Sequence, residues 1–351
     1  MAQFKVLANK LNVRITPVID FANKSNIGEV ILKDSIHEST EQHENILGVW
    51  HKINDGWANE KWLSEEQLLF SKSQIIDYNI LSLLPQETKK TNGQGITVGI
   101  LDSGLFRHEA FAKTKITGAN FVDSNKDFED NSRDSHGTFV SGIIAAGICE
   151  DFKMKGIATN VSLLIAKIGN EFSISDSDSV FNALNWIVDQ QPDIINCSFS
   201  FAPLDKSRFE SILSSNKAKG IIWVAAGQDG PGVFDKKIFY PALNSNVIAV
   251  GSLESKDLDS RKISDINSHI KYIVPQFPFK STDIFDTYSD AKGSSFASAL
   301  VTGNLALIKS SLKLKGSMDI TPLACIKILD NYIENLTSAE QLQNPFLIFK
   351  R

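Results

Sequence analysis

GITVGILDSG, residues 95–104, decides how the rest of the chain is read. Its ITVGIL core is a near-continuous apolar run of strand length, the pattern of a parallel strand covered on both faces. The run ends in Asp102, and open α/β sheets gather their functional groups at the carboxyl ends of their strands. Two further stretches carry complementary chemistry. DSHGTFVSG, residues 134–142, holds His136 just ahead of an apolar, small-residue helix pattern. KGSSFASALVTG, residues 292–303, sets Ser295 at the start of another. A hydroxyl nucleophile needs a base, and the base needs an orienting carboxylate. Asp, His and Ser in this chain order match one known arrangement of that constellation. A serine at a helix N-terminus also stands among unpaired backbone N–H groups, and its own N–H can help hold an oxyanion.

Strand and helix patterns alternate outward from this core. VSLLIAKI (161–168) reads as a buried strand. SDSVFNALNWIVDQQ follows as an amphipathic helix with Val180, Leu184 and Ile187 on one face and Ser/Asp at its start. PDIINCS is the next strand, SRFESILSSNKAKG (207–220) a helix closed by Gly220, and IIWVAAG another strand. This alternation predicts a parallel sheet with helices on both faces.

With these residues in view, the chain resembles the subtilases, the subtilisin-like serine peptidases, over about residues 93–312. HGTxVxG is matched by His136–Gly142 and GxSxA by Gly293–Ala297, and the strand ending in Asp-Ser-Gly matches as well. IINCS (194–198) resembles the strand lining the family's cleft, and VAAG (224–227) the strand leading to its oxyanion hole. YPA (240–242) with VIAVGS (247–252) resembles a further family block. The resemblance implies a subtilisin-like serine endopeptidase with Asp102, His136 and Ser295 as triad, and Gln228 with the Ser295 N–H as oxyanion donors. It further implies an extended substrate lying against Ile168, Gly169 and Asn170 on one side and Ser198, Phe199 and Ser200 on the other, with Ala225, Ala226 and Gly227 nearby. Three departures stand out. Gln228 replaces the usual Asn, which lengthens the oxyanion side chain by a methylene. Ser135 stands where Gly is usual before the histidine, and Ala299 stands where Pro is usual. Gln228 motivates the alternative of a low-activity, peptide-binding or scaffold protein on the same fold.

Composition narrows the partners. A net charge of −5 leaves no basic footprint for nucleic acid, and no apolar run is long enough to span a bilayer. The subtilase resemblance implies protein or peptide substrates as the partners. The N-terminus lacks the apolar core and cleavage site of a signal peptide. Cys149, Cys197 and Cys325 are odd in number and widely spaced, so they do not read as a disulfide framework. These features favour a cytoplasmic setting, with leaderless export the alternative. Cys197, beside the cleft strand, reads as core packing rather than a reactive thiol. No cofactor is expected, and a structural calcium, as some loops of the resembled family bind, is the alternative at the acidic run. The acidic run FVDSNKDFEDNSRDS (121–135) has no recognisable calcium-loop spacing and reads as a solvated loop.

Residues 1–64 are of another kind. Short alternating runs (FKVLA, LNVRI, IGEVILKDSI, GVWHKI, GWANEKWL) are separated by turn residues, as in a small all-β barrel. LNVR, IGEVILKD and VWHKINDGWANEKWLS resemble a bacterial SH3-like domain, with Asn54-Asp55-Gly56 as the final tight turn. Trp50, Trp57 and Trp62 are read mainly as barrel filling. His37, His43 and His51 match no ligand pattern. Such a module implies a protein or peptide ligand and a docking or regulatory role. Residues 65–92 form a connector, with a helix expected after Ser64 and broken by Pro85. Residues 93–351 are the catalytic domain.

Overall fold

The computed structural model describes residues 76–82, 84–123, 126–132, 134–148, 154–169, 176–201, 205–229, 238–254, 267–276, 278–335 and 348–350, together with seven backbone strands between residues 3 and 65. Those strands are β1 (Gln3–Val6), β2 (Lys10–Arg14), β3 (Ile27–Leu32), β4 (Ile36–Asn45), β5 (Gly48–Ile53), β6 (Gly56–Asn59) and β7 (Leu63–Glu65). They pair in the order β3-β2-β6-β5-β4-β1-β7, antiparallel throughout, with Ile53 opposite Gly56; the turn expected at Asn54-Asp55 lies outside the described residues. The side chains of Trp50, Trp57, Trp62, His37, His43 and His51 lie outside the described residues.

After the connector, β8 (Ile76–Asp77) pairs with β11 (Met154–Lys155) and leads into two single turns, α1 (Tyr78–Leu81) and α2 (Gln86–Lys89). Of the helix expected after Ser64, Tyr78–Leu81 is helical, while its start and Ile76-Asp77 are corrected. Ser64 pairs with Lys5 in β7, and Ile76-Asp77 is extended because it has a strand partner. Pro85 does not break a helix; it precedes the first residue of α2, where a fixed φ and a missing N–H cost nothing.

The main sheet has eight strands in the order β10-β12-β9-β13-β14-β15-β16-β19. These are β9 (Thr97–Asp102), β10 (Ile116–Asn120), β12 (Ser162–Lys167), β13 (Ile194–Cys197), β14 (Ile222–Asp229), β15 (Ile248–Glu254), β16 (Ile270–Gln276) and β19 (Phe349–Lys350). All pairs are parallel except β16 with β19. The hairpin of β17 (Phe279–Asp283) and β18 (Thr287–Ala291) lies outside this sheet. Helices α3 (His136–Ala145), α6 (Ser294–Leu314) and α7 (Pro322–Glu334) supply one apolar cluster, on one face of the sheet. Helices α4 (Ser177–Asp189) and α5 (Lys206–Ser214) supply the cluster on the other face. β9 is buried at five of its six positions because both its faces are covered, which is why its sequence shows no alternation.

Helix α4 buries Val180, Leu184 and Ile187 as the periodicity predicts, and Asp176 caps it by accepting from Ser179 N. Helix α5 stops at Ser214, short of the expected end. Gly220, at φ 86°, instead turns the chain into β14, a conformation that favours glycine. No helix among the described residues is long and apolar enough to cross a membrane.

Candidate active site

The main sheet delivers its polar ends to one place. Asp102 is the last residue of β9, only 6 % exposed, and its Oδ1 accepts from Ser103 N at 2.8 Å and from His136 Nδ1 at 2.7 Å. Asp102 Oδ2 is buried with no hydrogen-bond donor among the described residues. A carboxylate so thinly solvated leaves much of its charge to the imidazole beside it.

His136 begins α3, and the turn before it is built for that purpose. Ser135 has φ 52°, in the left-handed region, which explains why glycine is favoured at this position. His136 N donates to Ser132 Oγ at 3.3 Å. Gly137 N donates to Ser103 Oγ at 2.8 Å, tying α3 to the residue after Asp102. A side chain at Gly137 would meet Gly104 O, Gly104 N and Asp102 Cβ, so the helix start lies directly on the Asp102–Gly104 turn. Burial works against charging the imidazole. The charge and hydrogen bond of Asp102, with Asp134 and Asp130, outweigh it and push His136 up to about 9. The side chain keeps 24 % of its surface open, enough for substrate and solvent to reach it.

Ser295 is the second residue of α6, after Gly293 at φ 140° and Ser294. Its Oγ donates to Ser198 O at 3.2 Å rather than to His136. The next ring along the helix, Phe296, lies 5.5 Å from the imidazole and 4.5 Å from Phe139, so α3 and α6 meet one residue beyond the hydroxyl. A buried polar ladder fixes the first turns of α6 to the end of β13. Thr302 Oγ1 donates to Asn196 Oδ1, Asn196 Nδ2 donates to Ser198 Oγ, and Ser198 Oγ donates to Ser295 O at 3.0 Å. Asp102 and His136 are thus directly joined, and Ser295 stands next to the Phe296 that packs on His136.

The other expected site residues divide. Ile168 and Gly169 are buried, with Ile168 N donating to Asp102 O at 2.8 Å, while Asn170 lies outside the described residues. Phe199 and Ala225 are buried in the α4/α5-side cluster with Ile168, so these three offer backbone rather than side chain to a cleft. Ser198 is buried, Ala226 and Gly227 are half-buried, and Ser200 is exposed. Gln228 is 6 % exposed and its Oε1 accepts from Asn267 N at 3.1 Å. Asp229 also meets the first turn of α6: its Oδ1 accepts from Ser294 N at 2.5 Å and its Oδ2 accepts from Ser294 Oγ at 3.2 Å. Asp229 is exposed as a residue, but desolvation of its carboxyl at the start of α6 raises it, against the Ser294 hydrogen bonds that lower it. Cys197 is fully buried; burial, then the charge of Asp102, pushes its thiol far up, leaving it inert.

Within the acidic run 121–135, Asp123, Asp127 and Asp134 are exposed, as a solvated loop requires, and Asp130 is the exception. Asp130 is 1 % exposed and accepts four hydrogen bonds, from Ser132 N and Oγ and from Thr138 N and Oγ1, at 2.7–3.0 Å. It caps α3 from a distance. Asp130, Asp229 and Lys167 escaped sequence reasoning. The signal for Lys167 was there, as a lysine ending the otherwise apolar strand VSLLIAKI. Among the described residues no cluster of His, Cys, Asp and Glu has the makings of a metal site.

Comparison with known proteins gives the chain's family. The profile of the subtilase family matches residues 93–324. The major intracellular serine protease of Bacillus subtilis is 32 % identical over 253 residues, covering 68 % of this chain and 78 % of that protein. Subtilisin DY of Bacillus licheniformis is 31 % identical over 219 residues, 62 % of this chain and 78 % of its own. The intracellular serine protease of Paenibacillus polymyxa is 28 % identical over 242 residues, 68 % and 73 % respectively.

Proposed function

Since the chain belongs to the subtilase family, we propose that it is a serine endopeptidase that cleaves peptide bonds with Asp102, His136 and Ser295. The observation that carries this reading is the 2.7 Å hydrogen bond from His136 Nδ1 to the buried Asp102. It leaves Nε2 as the free base and holds the imidazole in the tautomer a general base requires. Ser295 Oγ turns from the Ser198 carbonyl toward His136 when substrate enters, and loses its proton to Nε2 as it attacks the scissile carbonyl. Asp102 stabilises the imidazolium that forms. The Ser295 N–H and the Gln228 amide hold the oxyanion. The imidazolium then protonates the leaving amine, and water, activated by the same imidazole, hydrolyses the acyl-enzyme.

Backbone of Ile168–Gly169, Asn170 and Ser198–Ser200 pairs with an extended substrate, next to Ala225–Gly227. A specific processing or regulatory role in the cytoplasm is the setting we favour, with residues 1–64 docking a protein or peptide partner. Two of the matched relatives are named as intracellular proteases. A second reading, of slow turnover and peptide binding, draws on the anchoring of Gln228 Oε1 to Asn267 N. Labelling with a fluorophosphonate, followed by peptide mapping, decides between them. Stoichiometric labelling at Ser295, lost in Ser295→Ala, supports the peptidase. A folded protein that takes no label and cleaves no peptide library overturns it.

A further inference from the structure

Lys167 ends β12 next to Asp102, its register partner on β9, and is 2 % exposed. An ammonium is costly to bury unless each N–H finds an acceptor. Here three donors meet three oxygens: Ser103 O at 2.9 Å, Glu129 O at 2.7 Å and Asn131 Oδ1 at 2.5 Å. None of these is a carboxylate, so the contact is coordination of a cation by neutral oxygens rather than a salt bridge. Burial disfavours the charge, and Asp130, Asp123, Asp127 and Glu129 around it support the charge.

Two arms run from this point, one to each member of the acid–base pair. Through Ser103 it reaches Asp102, because Ser103 N donates to Asp102 Oδ1 and Ser103 Oγ accepts from Gly137 N. Through Glu129 and Asn131 it grips the residues flanking Asp130. Asp130 in turn holds Ser132 and Thr138, and Ser132 Oγ accepts from His136 N. We propose that Lys167 is a positioning residue for His136, a tethered cation that clamps the 129–132 segment to the strand end of Asp102 and so fixes the imidazole against its carboxylate. The proposal rests on the triad reading above.

Lys167→Ala leaves three oxygens around a space the size of a small amine, which makes chemical rescue the test. Turnover of one peptide is measured with methylammonium, ammonium or, as a control without N–H groups, tetramethylammonium at matched ionic strength. Loss of the clamp lowers kcat by roughly 10–100-fold, the scale for a misplacement near 1 Å, with KM little changed. Methylammonium restores much of kcat and tetramethylammonium restores none. Lys167→Met, which fills the space with an apolar chain, loses kcat and is not rescued. The acid limb of the pH profile moves up in both variants, since Asp130 then acts on His136 beside Asp102 and Asp134 without an opposing ammonium.

An independent readout is the downfield proton resonance of the His136–Asp102 hydrogen bond. It shifts or broadens in Lys167→Ala and returns with methylammonium, also in a Ser295→Ala background. That arm works even if the wild type proves to turn over no peptide, so failure of the peptidase reading and failure of the clamp are told apart. Should Lys167→Ala not fold, Lys167→Met carries the resonance test. Wild-type kcat and resonance in Lys167→Met, or a loss in Lys167→Ala that methylammonium leaves untouched, overturns the proposal.

Discussion

Alanine at Gly137 tests whether close approach of α3 to the Asp102–Gly104 turn is what makes the His-Gly-Thr sequence necessary. The added methyl would lie 3.0 Å from Gly104 N, 3.1 Å from Asp102 Cβ and closer still to Gly104 O, all short of the ordinary 3.4–4 Å contact. The obstacles are backbone and a Cβ, so no flexible side chain can swing away. Restoring ordinary contact moves the helix start back by about 1 Å. The His136–Asp102 bond at 2.7 Å and the Gly137 N–Ser103 Oγ bond at 2.8 Å then stretch beyond useful hydrogen-bond range.

Overpacking costs about 1–3 kcal/mol and the lost Ser103 bond about 1 kcal/mol. The better helix propensity of alanine returns at most about 1 kcal/mol. A net loss of about 1–4 kcal/mol lowers Tm by roughly 2–16 °C for a domain of this size. Misplacement of the base lowers kcat about 100-fold. Steady-state kinetics and a thermal melt on the purified variant measure both. A Gly137→Ala protein with kcat within about twofold of wild type and an unchanged Tm refutes the close-approach argument.

The remaining expectations concern protonation, the oxyanion side chain and the thiols. His136 is held up to about 9 in the folded state, and catalysis needs its neutral form. The acid limb of kcat/KM is therefore displaced above the ordinary histidine value of about 6.5, and a limb at or below that value contradicts the pairing. The linked stability has the matching sign, full below the unfolded pKa of about 6.5 and lost as pH rises through about 9. Gln228→Asn is expected to raise kcat more than it changes KM, because a shorter amide released from Asn267 N serves the transition state better; lower turnover in the Asn variant shows Gln228 to be adapted to its own cleft. Buried Cys197, and Cys325 with its thiol pushed up to about 11, should resist iodoacetamide in the native protein, and native alkylation of Cys197 with loss of activity would overturn the account of the site.

Local pattern was enough for much of this. The near-continuous apolar run before Asp102 read as a strand covered on both faces. The small-residue helices after His136 and Ser295 announced close packing, and these features are set by nearest neighbours along the chain. The periodicity of α4 was legible for the same reason. What local pattern could not supply was any partner distant in sequence. Ile76-Asp77 is a strand only because Met154-Lys155 lies beside it. Asp130 looked like one acidic residue among many until Thr138 and Ser132 closed around it. Lys167 is 64 residues from Ser103 and 38 from Glu129. Asp229 meets a serine 65 residues away, at the start of α6. A buried charge is tolerated only where the folded chain brings it matching donors or acceptors, and which residues those are depends on the crossing of strands and helices, not on the order of amino acids around it.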